Sequence, residues 1–90
     1  MQITFDPAKR DATLKERRLD FAAAAEVFAG HTYDRVDDRF DYGEVRMVTV
    51  GLLASRMVVL VWTQRGEARH VISMRKANER EQARYARYLG

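Results

Sequence analysis

Met57-Val58-Val59-Leu60-Val61-Trp62-Thr63-Gln64-Arg65-Gly66-Glu67-Ala68 decides the fold. Its first six residues are apolar without alternation, which marks a strand buried on both faces at the centre of a sheet. Arg65-Gly66 is a turn signal, and Ala68 to Met74 reads as the strand that returns beside it. Upstream, Val45 to Leu53 is a second strong strand, joined to the first near Ala54-Ser55. Further upstream, Thr32 to Asp37 reads as a polar edge strand, with loop or turn from Asp37 to Gly43. Three hairpin-linked strands in succession predict a mainly antiparallel sheet.

The flanks supply helices. Ile3 and Phe5 alternate with polar neighbours as a short first strand, and Asp6-Pro7 has the form of an N-cap and first helical residue. A basic helix is expected from Pro7 to about residue 18, with Ala8, Ala12 and Leu19 inward and Lys9, Arg10, Lys15, Arg17 and Arg18 in water. Asp20 is placed to cap a second helix, Phe21 to Phe28, whose Phe21, Ala24, Ala25 and Phe28 share a face. Ala29-Gly30 suits its C-terminus. At the other end, Asn78-Glu79-Arg80-Glu81 spells a capping box, and a closing helix follows to about Leu89. The expected order is β-α-α-β-β-β-β-α, an α+β domain spanning residues 1–90. Gly43, Gly51 and Gly66 read as turn or bulge glycines.

Composition narrows the function classes. At 90 residues, 47% apolar and 32% charged, the chain has the make-up of a small globular domain. It contains no cysteine, which excludes a disulfide frame and thiolate metal sites. The start lacks the pattern of a signal peptide, and the apolar run from Met57 to Trp62 is too short to cross a bilayer, so no membrane association and a cytoplasmic location are expected. The net charge of +3 and isoelectric point near 9.6 favour an anionic partner. Between Arg65 and Arg87 there are seven cations against three acids, whereas residues 31–44 are acid-rich. The cations are mostly arginine, whose planar fork suits bidentate contact with phosphate.

Candidate chemistry gathers on the strands. By two-residue alternation, Arg69, Val71, Ser73 and Arg75 share one side of the last strand, and His70, Ile72 and Met74 the other. Ile72 and Met74 mark the second side as helix-covered, leaving Arg69, Ser73 and Arg75 on the open face. Glu44 and Arg46 fall together with Val48 and Val50, and the hairpin register decides whether they join that face. Such a cluster suits metal-free RNA cleavage: a base removes the 2′-hydroxyl proton, and cations stabilise the charge that develops on phosphate. Glu44 or His70 is a candidate base. Arg46, Arg69, Arg75 and Lys76 are candidate phosphate ligands, with Lys76 also a candidate acid. Arg65, Arg80 and Arg84, along the turn and the last helix, are further candidate ligands of RNA backbone phosphate. The plainer alternatives are cross-strand ion pairs for Glu44 and Arg46, a hydrogen-bonded histidine at the core edge for His70, and a solvated helix face for Arg80, Arg84 and Arg87. Trp62 reads as core. Two distant histidines without cysteine give no metal-ligand spacing, and no cofactor motif is present.

The ordered set Phe5-Asp6…Lys9, Val27-Phe28, Asp38-Arg39, Tyr42-Gly43-Glu44…Arg46, Gly51, Ser55-Arg56, Thr63…Arg65 and Arg69…Val71-Ile72-Ser73…Arg75-Lys76-Ala77, with Glu81 and Tyr85, resembles the BrnT family of type II toxins. A Lys-His-Gly element of that pattern is replaced here by Arg17-Arg18-Leu19 before Asp20-Phe21, which leaves a turn without its glycine. The resemblance implies a RelE-like bacterial toxin that cuts RNA and blocks translation. It also implies a BrnA-like ribbon-helix-helix antitoxin in a heterotetrameric complex, with operator DNA reached only through that antitoxin. The competing reading is a non-catalytic co-repressor or dimerisation partner of such a repressor, in which the same cations hold an acidic segment.

Overall fold

In the computed structural model, which describes residues 1–90, the chain runs β1 (Gln2–Phe5), α1 (Pro7–Arg17), a 3-10 turn (Phe21–Ala23), α2 (Ala24–Ala29), β2 (Tyr33–Asp37), β3 (Arg46–Leu53), β4 (Arg56–Arg65), β5 (Ala68–Lys76), α3 (Glu79–Tyr85) and a final 3-10 turn (Ala86–Tyr88). This is the expected α+β order. The five strands form one sheet in the order β1-β5-β4-β3-β2, antiparallel except where β1 runs parallel to β5. The apolar strand β4 lies at its centre.

Local sequence places the ends of the helices. The Asp6 side chain accepts from the backbone N–H of Ala8, and Pro7 opens α1, where its missing N–H costs nothing. Asp20 caps the 3-10 turn through Ala22. At α3 the capping box closes in both directions: Glu81 N–H donates to Asn78, and Asn78 N–H donates to Glu81.

The sheet carries a core on each face. On one side Leu19, Phe21, Ala24 and Val27 pack against Leu53, Val58, Leu60, Trp62, Val71 and Met74. On the other, Tyr85 and Leu89 from the C-terminal segment cover Val48, Val50, Val59 and Ala77. Trp62 is core as expected, donating from Nε1 to the buried Thr49 hydroxyl at 2.8 Å.

Several details differ from expectation. Helix α1 buries no side chain, and Ala8 and Ala12 are exposed. Polar contacts tie it down instead: Arg10 holds Asp20 at 2.8 and 3.0 Å, and Arg17 donates to the Met74 carbonyl. In the second helix Val27 is buried and Ala25 exposed, because the chain first winds through a 3-10 turn and shifts the inward face. The left-handed position after α1 falls on Arg18 (φ 58°), and Leu19 fills the core. Gly51 is neither turn nor bulge: a Cβ there would meet Val27 Cγ1 at 2.6 Å. The glycine lets α2 lie close against β3.

Candidate functional site

The site lies on the sheet face that α3 covers only in part. Across the central strands, Arg46 stands opposite Thr63, Val48 opposite Val61, and Val50 opposite Val59. In β5 a bulge falls between the partners of Val61 and Trp62: Val61 pairs with Ser73, but Trp62 pairs with Val71. Ile72 is the extra residue, and it shifts the two-residue alternation by one. His70, Ser73 and Arg75 therefore share the α3 face with Arg46 and Val48. Arg69 and Val71 turn to the face of α1 and α2 along with Met74.

At one end of this face Glu44 sits just ahead of β3, its side chain 29% exposed. Its carboxylate lies 3.4 Å from Arg46 Nε and 3.6 Å from Arg65 Nη2, both loose pairs. The Arg46 guanidinium stacks over the Tyr42 ring at 3.9 Å, and Phe40 meets Tyr42 edge-on at 5.8 Å. Phe40 itself is 69% exposed. His70 lies opposite Thr63, with its Nδ1 2.9 Å from the Thr4 hydroxyl of β1. Burial, and then the nearby Arg65, push the His70 pKa below its usual value against a weaker opposing pull from Glu44. That direction favours the neutral imidazole, the form that accepts a proton.

The other two carboxylates that hold arginines here are tightly clamped. Buried Asp37 accepts from Arg39 at 2.9 and 3.0 Å and from the Tyr42 hydroxyl at 3.4 Å, and the Arg39 contacts lower its pKa to about 2. Glu81 accepts from Arg75 at 2.7 and 2.8 Å, which brings it likewise to about 2. Groups so acidic are poor bases at neutral pH. Between them lies a cavity of about 180 Å³, lined by Arg35, Arg39, Val48, Val59, Val61, Ser73 and Arg75.

The structure thus brings Glu44, Arg46, Arg65, His70 and Arg75 to one face, and it does not bring Arg69 or Lys76 there. The bulge at Ile72 corrects the expected grouping of Arg69 with Ser73 and Arg75. The Arg69 guanidinium lies 4.3 Å from the Trp62 ring and 4.5 Å from that of Phe28, on the helix side. Lys76, a candidate phosphate ligand and acid, pairs with Val58, a residue of that same helix-side core, and so lies on the opposite face from Glu44. Arg80 and Arg84 are exposed on α3 and make no hydrogen bond or ion pair. Arg35 and Arg39 were not singled out as ligands in the sequence. The signal for Arg35 is its alternation with Tyr33 and Asp37 in β2, whose partners Val50, Val48 and Arg46 lie on the α3 face. No group of three or more His, Asp and Glu side chains is placed to hold a metal ion, and no helix is long and apolar enough to cross a membrane.

Comparison with known proteins adds one match. A family model described as "Ribonuclease toxin, BrnT, of type II toxin-antitoxin system" matches residues 5–81 of this chain. No curated protein matches it.

Proposed function

Because the chain belongs to the BrnT family of ribonuclease toxins of type II toxin–antitoxin systems, we propose that it is a RelE-like endoribonuclease that cleaves RNA without a metal on the α3 face of its sheet. Family membership makes it a toxin with an RNA target and an antitoxin partner. In the proposed step Glu44 takes the proton of a 2′-hydroxyl. The freed oxygen attacks the neighbouring phosphorus, the bond to the 5′-oxygen breaks, and the leaving oxygen takes a proton from water. The products are a 2′,3′-cyclic phosphate and a 5′-hydroxyl end. Arg46 and Arg65 face the phosphate and stabilise the charge that builds on it. His70 stands on the same face as a second candidate proton acceptor, through Nε2 in the tautomer whose Nδ1–H donates to the Thr4 hydroxyl.

The observation that carries this reading is the contrast among three carboxylates. Asp37 and Glu81 are clamped by arginines at 2.7 to 3.0 Å, whereas Glu44 is held only at 3.4 and 3.6 Å. Its arginines are free to exchange a carboxylate oxygen for a phosphate oxygen. By the same family reading, the antitoxin is a BrnA-like ribbon-helix-helix protein, the complex a heterotetramer that meets operator DNA through the antitoxin, and the setting the bacterial cytoplasm.

The test is incubation of purified protein with single-stranded RNA in EDTA, with the product ends analysed. Fragments ending in 2′,3′-cyclic phosphate are expected. RNA that stays whole in EDTA and is cut once magnesium is added contradicts the proposal.

A further inference from the structure

We propose that the cavity between Arg35, Arg39 and Arg75 binds one backbone phosphate of single-stranded RNA, entered by displacing the Glu81 carboxylate from Arg75; this rests on the nuclease reading and extends it to a second phosphate. Arg35, Val48, Val61 and Ser73 form one row across four strands, and Val59 and Arg75 belong to the next. Three valines make the floor, and three guanidiniums and a hydroxyl make the rim. The volume, about 180 Å³, is that of several waters at about 30 Å³ each.

The charges are incompletely matched. Asp37 occupies Nε and one terminal nitrogen of Arg39, and Glu81 occupies both terminal nitrogens of Arg75. Arg35 has no hydrogen bond or ion pair, and neither does the half-buried Ser73 hydroxyl. Three cations and two carboxylates leave one positive charge on the rim. A phosphodiester carries one negative charge. Glu81 shows which ligand geometry suits the rim: two oxygens of one anion, side by side on one guanidinium, an arrangement phosphate shares. The Arg75–Glu81 contact dominates the electrostatics of the rim, raising the pKa of Arg75 and lowering that of Glu81, with Arg35 adding slightly to the fall of Glu81 and Arg39 slightly opposing the rise of Arg75. Nothing on the rim presents the mixed donor and acceptor pattern that reads a base edge, so the site takes phosphate irrespective of sequence.

The experiment uses a fluorescent 2′-O-methyl hexanucleotide, which binds but has no free 2′-hydroxyl to attack. Anisotropy is followed over a range of salt concentrations. For Arg35→Ala the affinity is expected to fall about 5- to 10-fold and the salt slope by about 0.7, the loss of one single-strand phosphate contact. In cleavage of ordinary RNA, KM rises with kcat unchanged. Glu81→Gln keeps the capping box, since glutamine serves that position as well as glutamate. It frees Arg75, and binding is expected to tighten several-fold.

If both variants bind the hexanucleotide as wild type does, the proposal is overturned. If Arg35→Ala weakens only a labelled hexaglutamate peptide, the cavity is a carboxylate site for a protein partner and the RNA assignment falls. Binding is read apart from catalysis, so the two readings fail separately. Wild-type protein that cuts no RNA but binds the hexanucleotide through Arg35 retires the nuclease reading and supports the subsite.

Discussion

Replacing Arg69 separates packing from phosphate binding. Its guanidinium lies over Trp62 at 4.3 Å and Phe28 at 4.5 Å, and those rings meet edge-on at 5.4 Å. A cation over an aromatic face is worth about 0.5–1 kcal/mol at exposed sites and about 2 kcal/mol when desolvated. Arg69 is half-buried, so its two contacts together amount to about 1–2 kcal/mol. In a domain of this size 1 kcal/mol moves Tm by about 4–8 °C, so Arg69→Ala is expected to lower Tm by about 4–16 °C. Arg69→Lys keeps the charge and loses the planar stack, and it should recover less than half of that loss. Fluorescence of Trp62, the one tryptophan, follows unfolding directly. RNA cleavage measured well below both midpoints should stay within twofold of wild type. A Tm within 2 °C of wild type together with a tenfold loss of cleavage would refute the reasoning and return Arg69 to the RNA.

Other perturbations follow from the same geometry. Gly51→Ala forces a methyl to 2.6 Å from Val27 Cγ1, and overpacking of this kind costs about 1–3 kcal/mol; adding Val27→Ala should return part of it, and additive losses in urea denaturation would show that the two do not touch. Phe40→Ala, at a ring 69% exposed beside the Tyr42–Arg46 stack, should leave Tm unchanged. If a base stacks on that ring, a contribution of about 1–3 kcal/mol to RNA binding is lost, and unchanged affinity excludes the stacking role. The Glu81 pKa falls on folding from 4.5 to about 2 because Arg75 holds its ionised form. The stabilisation is therefore complete above about pH 4.5 and disappears as pH falls toward 2, since the unfolded chain binds the proton first. Arg75 is 46% exposed, which limits the pair to about 1 kcal/mol. Glu81→Gln should flatten the stability profile between pH 2.5 and 4.5, apart from the share of Asp37, and an unaltered profile would show the pair contributes nothing.

The elements were legible where local chemistry decides them. Asp6-Pro7, Asp20 and Asn78…Glu81 cap helices through contacts within four residues, and the apolar run in β4 can only be central. The site was legible in part. Alternation paired Glu44 with Arg46 and put Arg75 on the open face, and the strand register, which the sequence left open, brings the three to one face. Arg69 does not join them, and His70 does, because one extra residue at Ile72 resets the alternation along β5 and leaves no signature in residue type; Lys76, next to Arg75 and two residues from Met74, falls on the helix side by plain alternation. The cavity was invisible for a different reason: Arg35 and Ser73 meet only through a register that spans four strands. Gly51 misled because a close helix–strand approach and a bulge ask for the same residue.

The most direct measurement compares kcat/KM for RNA cleavage in Glu44→Gln and Lys76→Ala, each verified as folded. Loss of a base from the α3 face should reduce Glu44→Gln by about 10²- to 10⁴-fold, with Lys76→Ala, on the helix side of β5, within threefold of wild type. Full activity in Glu44→Gln with a large loss in Lys76→Ala would put the chemistry on the opposite side of the sheet.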